Sequence, residues 1–503
     1  MKSVAIIGAG ITGLTAAFYL KRKGIPVTVY EAGERGGGVI QSIRKDGFLA
    51  ECGPNTLLET SPKIAQLVRD AGLASRRLDS DPKAEARYVV RYRRPIAMPA
   101  SQLGIFTSEL LSAKAKFALL REPFVPARRD GKEESIAEFV VRRLSREFLD
   151  QMIDALVAGI YAGDPYKLSV QQAFPRLVEL EARYGSLIKG QIFGARERKR
   201  RGEIAKDRAP KFSFDEGLQV LTDTLQQHLG DSVKLNTPVT KLTQMGDGWL
   251  VTLSEGRVTR APDSAKENGD SCNSSLRQFE VEHSAVIYCG TAYKLAELKV
   301  ETSKKSGTAL TPSLSHPMGE GGQRPGEGKP FDFSPFSEIR YPPVTSVVLG
   351  FRREDVTHPC QGYGMLIPKI EGFKILGTIF SSSLFPNRAP AGHVTLTSYL
   401  GGERQPELAS RPADELVATT CDDLRVLLGV KGRPTFQHTM LYPRAIPQYN
   451  LGYGRYRELM NAIENQAAGL FLAGHYREGV SLGDSIVSGC NVVERVEKIL
   501  TAK

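Results

Sequence analysis

Cysteine is scarce and scattered in this chain of 503 residues. Cys52, Cys272, Cys289, Cys360, Cys421 and Cys490 form no C-x-x-C and meet no histidine at ligand spacing. That excludes a cysteine-built metal site and a disulfide scaffold, so no metal is expected and the thiols read as reduced, as in a cytosolic-type compartment. Long apolar runs are also missing. No stretch approaches the ~18 continuous apolar residues of a spanning helix, so any membrane contact must be peripheral. No signal peptide is expected, because Lys2 runs at once into a strand pattern. The basic run from Arg196 to Lys211 holds eight basic residues against three acids, with no aromatic among them. It therefore gives no support for nucleic acid, and reads as a solvated loop or, functionally, as an attractor of anionic headgroups.

What is present begins at the first strand. Val4-Ala5-Ile6-Ile7 leads into Gly8-Ala9-Gly10-Ile11-Thr12-Gly13, then a helix from Leu14 to Lys23 closed by Gly24, then a strand Val27 to Tyr30 ending at Glu31. Gly8 permits the tight turn, Gly10 lets backbone approach a pyrophosphate, and Gly13 lets helix and strand pack closely. The helix N-terminus faces the phosphates and Glu31 suits ribose hydroxyls. A nicotinamide dehydrogenase would continue into another strand-helix unit. Here the chain runs instead through Ala32, Arg35 and Gly36-Gly37-Gly38, and later through Gly53-Pro54-Asn55-Thr56. The glycine run reads as a second backbone surface against a large flat cofactor, with a flexible turn as the plain alternative.

The remaining segments suggest a mixed layout. Residues 60 to 200 read as helical, with Ser135 to Glu138 in capping-box form and a helix expected over 107 to 120. The latter carries Leu110, Leu111, Phe117 and Leu120 among lysines. Core packing is the plain reading of these faces and a membrane-leaning subdomain the sharper one. Strand-like segments follow at 233 to 244 and 249 to 254, joined by Gly246-Asp247-Gly248. Residues 255 to 277 and 302 to 332 are poor in apolar residues and are expected to be disordered, so His316 and Met318 are not read as metal ligands. The net charge of +11 and pI near 9.2 suit anionic partners, carboxylated substrates among them.

The Gly8 to Gly13 turn with Arg35 and Gly37-Gly38 resembles the flavin amine oxidase superfamily, which implies FAD. Four more stretches narrow this: Val157 to Pro165, Tyr341 to Val344, Leu376 to Pro390, and Ala445 to Tyr449. Together they look like the oxygen-dependent protoporphyrinogen oxidase family. The implied fold is mixed α/β, with a Rossmann-like FAD domain assembled from both chain ends (1–85, 206–300 and 441–503). To it are added a substrate strand with a helical, membrane-leaning subdomain (86–205), the low-complexity insertion (302–332) and a mixed-sheet substrate domain (333–440). The resemblance implies FAD contacts from Gly8, Gly10, Ile11, Thr12, Gly13, Glu31, Ala32, Arg35, Gly37, Gly38, Gly53, Pro54, Asn55, Thr56 and Val239, and from Val480, Ser481 and Leu482 at the start of the last helix. It implies Arg87 on a substrate propionate, Leu366 and Ile379 around one pyrrole ring, Tyr399 stacked on another, and Gly159 lining the same cavity. Asn55 is the polar helper nearest the flavin.

The implied reaction removes six electrons from protoporphyrinogen IX in three two-electron steps, hydride passing to flavin N5 and O2 returning as H2O2. Coproporphyrinogen III is the alternative substrate, kept open by Arg91, Arg93 and Arg94. An FAD amine oxidase or desaturase is a further one, although His475 stands where amine oxidases usually carry an acid. The expected location is cytoplasmic, with peripheral contact to the cytoplasmic membrane face and a homodimer both left open.

Overall fold

Val4, Ala5 and Ile6 are fully buried, and such a strand needs backbone partners on both edges and apolar cover on both faces. The computed structural model, which describes residues 2–99, 101, 103–201, 209–254, 278–302 and 331–501, supplies both. Strands Val233–Lys234, Val27–Tyr30, Val4–Ile7, Ala285–Tyr288 and Leu470–Leu472 lie side by side in that order, every pair parallel. Stretches near both ends of the chain and its middle thus share one sheet. Helices Ile11–Arg22 and Leu482–Thr501 pack against each other beside it. Gly489 allows that approach, since a Cβ there would come within 2.7 Å of the Thr12 carbonyl.

The second layer is a mixed seven-stranded sheet. Its order is Phe436–Tyr442, Val344–Arg352, His393–Gly401, Ile375–Phe380, Gly364–Leu366, Arg87–Arg91 and Arg94–Ala97. The early hairpin joins by parallel pairing of Arg87 with Gly364. One face packs Val347, Leu349, Leu396 and Leu400 against the helix Ala413–Leu428 through Leu416, Leu424 and Leu428. The opposite face, carrying Val348, meets Phe48 in the strand Phe48–Glu51. A four-stranded sheet is built from Gln278–His283, Gly248–Ser254, Val239–Met245 and Lys299–Thr302, a three-stranded one from Leu57–Leu58, Lys211–Phe214 and Arg77–Asp79, and a hairpin from Ser42–Lys45 and Phe48–Glu51.

Two local expectations are corrected. The helix expected over 107 to 120 runs only over Ala113–Arg121. Ser112 caps it by accepting from the Ala115 amide, and the Thr107 hydroxyl turns back onto the Gly104 carbonyl. Short hydroxyls competing for backbone groups end the periodicity there, although Leu110 and Leu111 remain buried. The run 233 to 244 splits into Val233–Lys234 and Val239–Met245, which belong to different sheets. Asn236 at φ 52° and the fixed φ of Pro238 break it, while the Asn236 and Thr237 amides donate to the Gly33 and Glu31 carbonyls. The insertion 302–332 lies outside the described residues apart from its ends. Residues 255–277 lie outside them too. Of the basic run 196–211, residues 202–208 fall outside, and 196–201 are described as helical backbone alone.

The helical part is stitched by charge. Ser135 and Glu138 form the expected capping box at the start of Ile136–Arg143. At the other end Arg143 is fully buried with Glu122, and it also donates to Glu181 at 3.0 Å. Glu122 accepts further from the Ser186 hydroxyl at 2.6 Å and the Leu187 amide at 2.9 Å. Burial pushes its carboxyl up, but these donors and the guanidinium outweigh that and hold it below its ordinary value of 4.5.

The substitution Arg143→Met should lower stability by about 3–5 kcal/mol at neutral pH, because it strands a buried carboxylate. Urea unfolding measures this. Glu122's contribution to the wild type is complete above its ordinary value and is lost as pH falls through the lowered one. The deficit of the variant should therefore narrow on acidification, where protonation removes the stranded charge.

Candidate functional site

The nucleotide end is built from backbone. Gly8 sits at φ +101°, and its amide donates to the Tyr30 carbonyl at 2.8 Å. A Cβ on Gly13 would lie 2.0 Å from the Gly8 carbonyl oxygen, whereas one on Gly10 would meet nothing within 4 Å. Gly13 is a packing glycine, then, and Gly10 an opening. No side chain caps the helix that begins at Ile11 and Thr12, and no acid stands in its first turn. Uncapped amides beside open space fit a diphosphate. Opposite lies the glycine run: the Gly37 amide donates to the Ala9 carbonyl at 2.8 Å, and a Cβ on Gly38 would come within 3.4 Å of Gly10. Glu31 accepts from the Ala9 and Gly33 amides at 2.8 and 2.9 Å, which aligns its carboxylate at the end of its strand beside exposed Ala32. Val239 opens the strand just beyond the turn that bonds Glu31 and Gly33. Arg35 donates to the carbonyls of Gly36, Gly38 and Ile40, so it braces its own loop.

At the start of the last helix, Ser481 and Asp484 exchange hydrogen bonds in a capping pair, at 3.3 and 3.1 Å. Val480 packs against the core, and Gly483, next to Leu482, lies close to the Leu58 carbonyl and the Ile64 side chain. The closing helix thereby meets the chain just past Thr56.

The seven-stranded sheet brings the expected substrate residues onto one face. Paired residues share a face and alternate residues return to it. Arg87 pairs with Gly364 and Gly364 with Ile379. Two residues along, Leu366 pairs with Gly377 and Gly377 with Tyr399. Arg87, Ile379, Leu366 and Tyr399 therefore stand around two bare glycines. A Cβ on Gly364, at φ +150°, would lie 2.2 Å from the Thr378 carbonyl oxygen, and one on Gly377 2.7 Å from the Met365 carbonyl oxygen, so both let neighbouring strands pack closely beneath this face. Gly159 packs against the same face, since a Cβ there would sit 2.5 Å from Leu366. Interior strand glycines were the signal available for this face, as they mark close approach of a ligand or another chain segment. Sequence reasoning passed over both.

The face is joined to the nucleotide layer by hydrogen bonds. The Asn55 side-chain amide donates to the Tyr399 hydroxyl at 2.6 Å, and that hydroxyl donates to the Gly53 carbonyl at 3.2 Å. Ser381 donates to the Asn55 side-chain oxygen Oδ1 at 3.3 Å and pairs with Thr397 at 2.9 Å. Thr56 and the Tyr363 hydroxyl lie 2.9 Å apart. Burial pushes the Tyr399 hydroxyl well up and raises that of Tyr363, so both stay protonated. Pro54 thus stands between two anchored neighbours. Tyr363 and Ser381 were not foreseen, because their partners Thr56 and Asn55 lie 307 and 326 positions away.

Charge around this face is sparse. His475 is half-buried, with Nε2 3.4 Å from the Tyr341 hydroxyl, and desolvation pushes it down to about 4, so it is neutral. Arg91 is held by Glu147 at 3.0 Å, Arg94 by Glu109 at 2.5 Å, and Arg93 lies over the Phe373 ring. None of the three is available in this arrangement as a ready carboxylate clamp.

Comparison with known proteins shows the family and the fold. The model of the flavin containing amine oxidoreductase family matches residues 11–271 and 323–497. Protoporphyrinogen oxidase 2, chloroplastic/mitochondrial, of Arabidopsis thaliana is 35% identical over 98% of this chain and 94% of its own length. Coproporphyrinogen III oxidase of Bacillus subtilis is 28% identical, covering 97% and 96%. A crystal structure provisionally assigned as a protoporphyrinogen oxidase from Exiguobacterium sp. 255-15 superposes with a TM-score of 0.75 at 20% identity, covering 99% of both chains.

The two glycines predict different failures. Gly10→Ala should leave the unfolding midpoint of the apoprotein unchanged while the purified protein loses its flavin absorbance. Gly13→Ala should lower both, because its methyl group strikes backbone. Equal flavin content in Gly10→Ala and wild type would contradict the cradle.

Proposed function

The chain belongs to the flavin containing amine oxidoreductase family, and from that premise we propose that it oxidises protoporphyrinogen IX to protoporphyrin IX, with O2 as the final acceptor. It is an FAD-dependent oxidoreductase by family. The observation that carries the substrate reading is the shared face of the seven-stranded sheet, with Arg87 at one edge, Leu366 and Ile379 across it, and Tyr399 bonded to Asn55. Bound FAD would supply two-electron acceptance, so six electrons leave in three rounds.

The chain's own residues then have few tasks. Arg87 binds a propionate, for which a guanidinium fork is better shaped than an ammonium. Leu366 and Ile379 hold a pyrrole face, and Gly159 gives the ring room. Tyr399 and Asn55 keep the loop Gly53 to Thr56 at fixed distance from that face. No general base is required, since aromatisation drives the reaction and orientation is the remaining demand. Neutral His475 in place of an acid disfavours a cationic amine.

Coproporphyrinogen III is the second reading, favoured by relatives of that name in Bacillus subtilis and Staphylococcus aureus. Its four propionates call for more basic groups, and Arg91, Arg93 and Arg94 are engaged elsewhere. This supports the two-propionate substrate.

Membrane contact is proposed for the helical part. Phe117, Leu120, Phe124, Ile192 and Phe193 are all more than half exposed, with Lys189 over the Phe124 ring. Apolar side chains among cations suit an anionic bilayer surface. Among the described residues no helix is long and apolar enough to cross a membrane. The contact with O2 and any homodimer belong to the same proposal.

Steady-state oxidation of both porphyrinogens under air tests the substrate reading; a higher kcat/KM on coproporphyrinogen would overturn it. Arg87→Ala should raise KM for protoporphyrinogen roughly 10- to 100-fold, the worth of a lost charged hydrogen bond, at unchanged flavin content. Sedimentation with anionic vesicles tests the surface. Phe124→Ser with Phe193→Ser should abolish binding that the wild type shows at low salt.

A further inference from the structure

Arg388 and Glu51 form an ion pair at 3.2 Å with both side chains almost wholly buried, 1% and 2% exposed. Neither belongs to the residues assigned to cofactor or substrate above. Glu51 also accepts from the Ser42 hydroxyl at 2.6 Å and the Leu218 amide at 2.9 Å. Arg388 also donates to the Ser213 hydroxyl at 2.6 Å and the Asn387 side chain at 2.7 Å, with its guanidinium 5.0 Å from the Phe385 ring centre. Its backbone carbonyl accepts from the Leu49 amide and the Thr395 hydroxyl, at 3.2 and 2.7 Å. Three stretches of chain meet here: the hairpin Ser42 to Glu51, the turn Ser213 to Leu218, and the loop Phe385 to Arg388.

The position of the pair in the chain gives it meaning. Glu51 ends its strand, and Gly53 and Asn55 follow directly. Asn55 and the Gly53 carbonyl are held by Tyr399. Arg388 lies in the loop between strand Ile375–Phe380, which carries Ile379, and strand His393–Gly401, which carries Tyr399. The five residues from Glu51 to Asn55 are thus gripped at both ends by the sheet that carries Arg87, Leu366, Ile379 and Tyr399. Slack is small: a Cβ on Gly53 would lie 2.3 Å from the Val39 carbonyl, and one on Gly217 would lie 3.0 Å from a Glu51 carboxylate oxygen. A buried ion pair is a poor source of stability, because desolvation offsets its attraction. Its geometric exactness is better suited to setting a position.

We propose that Arg388 and Glu51 are a positioning pair, the second anchor of a two-point clamp that sets the loop Gly53 to Thr56, and hence the flavin, against the sheet bearing Arg87, Leu366, Ile379 and Tyr399. The inference rests on the FAD-site reading above. The pair touches neither cofactor nor substrate and acts through Gly53 and Asn55.

The test uses purified holoprotein of wild type, Arg388→Lys, and the double variant Glu51→Leu with Arg388→Met. Replacing both charges by apolar groups leaves no stranded charge, so the double variant should stay folded, its unfolding midpoint lowered only by the partners lost to the Leu218 amide and the Ser213 hydroxyl. Its visible flavin circular dichroism should change, and anaerobic flavin reduction by protoporphyrinogen should slow on the order of 10- to 100-fold with KM little altered, as a small misplacement demands. Arg388→Lys should show the same split, because an ammonium cannot reach Glu51, Ser213 and Asn387 together. A folded double variant with wild-type dichroism and reduction rate would overturn the proposal. If the double variant fails to fold, wild-type dichroism and rate in Arg388→Lys overturn it equally. Should no porphyrinogen reduce the wild-type flavin, the substrate reading falls. The dichroism and the flavin midpoint potential, titrated with a chemical reductant, still decide the clamp.

Discussion

Strand Val4–Ile7 is buried on both faces, so each of its backbone polar groups must find a partner within the protein. Val27–Tyr30 satisfies one edge and Ala285–Tyr288 the other, and the latter needs Leu470–Leu472 beyond it. This demand draws the beginning, middle and end of the chain into one sheet. Everything between is an excursion that must leave this sheet and return to it. One excursion supplies the hairpin Arg87 to Ala97, another the strands from Val344 to Tyr442, and the two meet in a common sheet by parallel pairing. The candidate site lies between the fixed sheet and the sheet that the excursions build.

That placement explains why the boundary between them carries polar connections beside its apolar contacts. Two layers that met through apolar side chains alone could slide, whereas hydrogen bonds of defined length cannot. Asn55, Tyr399, Ser381 and Thr397 form one such connection, and Glu51 with Arg388, Ser42 and Ser213 forms another. Both are well satisfied, which is the condition under which a buried polar network specifies one arrangement. The ion-paired helices around Arg143 and Glu122 use the same means elsewhere, to hold short helices whose apolar faces are partly exposed.

Much of the first layer was legible because its signals are local. The strand, glycine turn, helix and terminal acid lie within about thirty positions, and each glycine answers a steric need of its immediate neighbours. The capping box at Ser135 was readable for the same reason. The errors arose where local signals compete. An apolar pattern over 107 to 120 hid the hydroxyls of Thr107 and Ser112, which take backbone partners and shorten the helix. The run 233 to 244 looked like one strand until Pro238 and left-handed Asn236 divided it between two sheets.

The sequence by itself determined the cofactor class and the mixed α/β plan, since a dinucleotide turn and its packing are written in consecutive residues. Resemblance carried the substrate residues onto numbered positions, but it could not say what those positions do to one another. Only the tertiary structure decided that Arg87, Leu366, Ile379 and Tyr399 share a face around two glycines. It alone decided that Tyr399 bonds Asn55 across 344 positions and that Arg388 is buried on Glu51 across 337. Such contacts have no local signature: hydroxyls, carboxylates and guanidinium groups bond whatever strand register brings near. Register is set by the pairing of distant strands, which no short stretch of sequence contains.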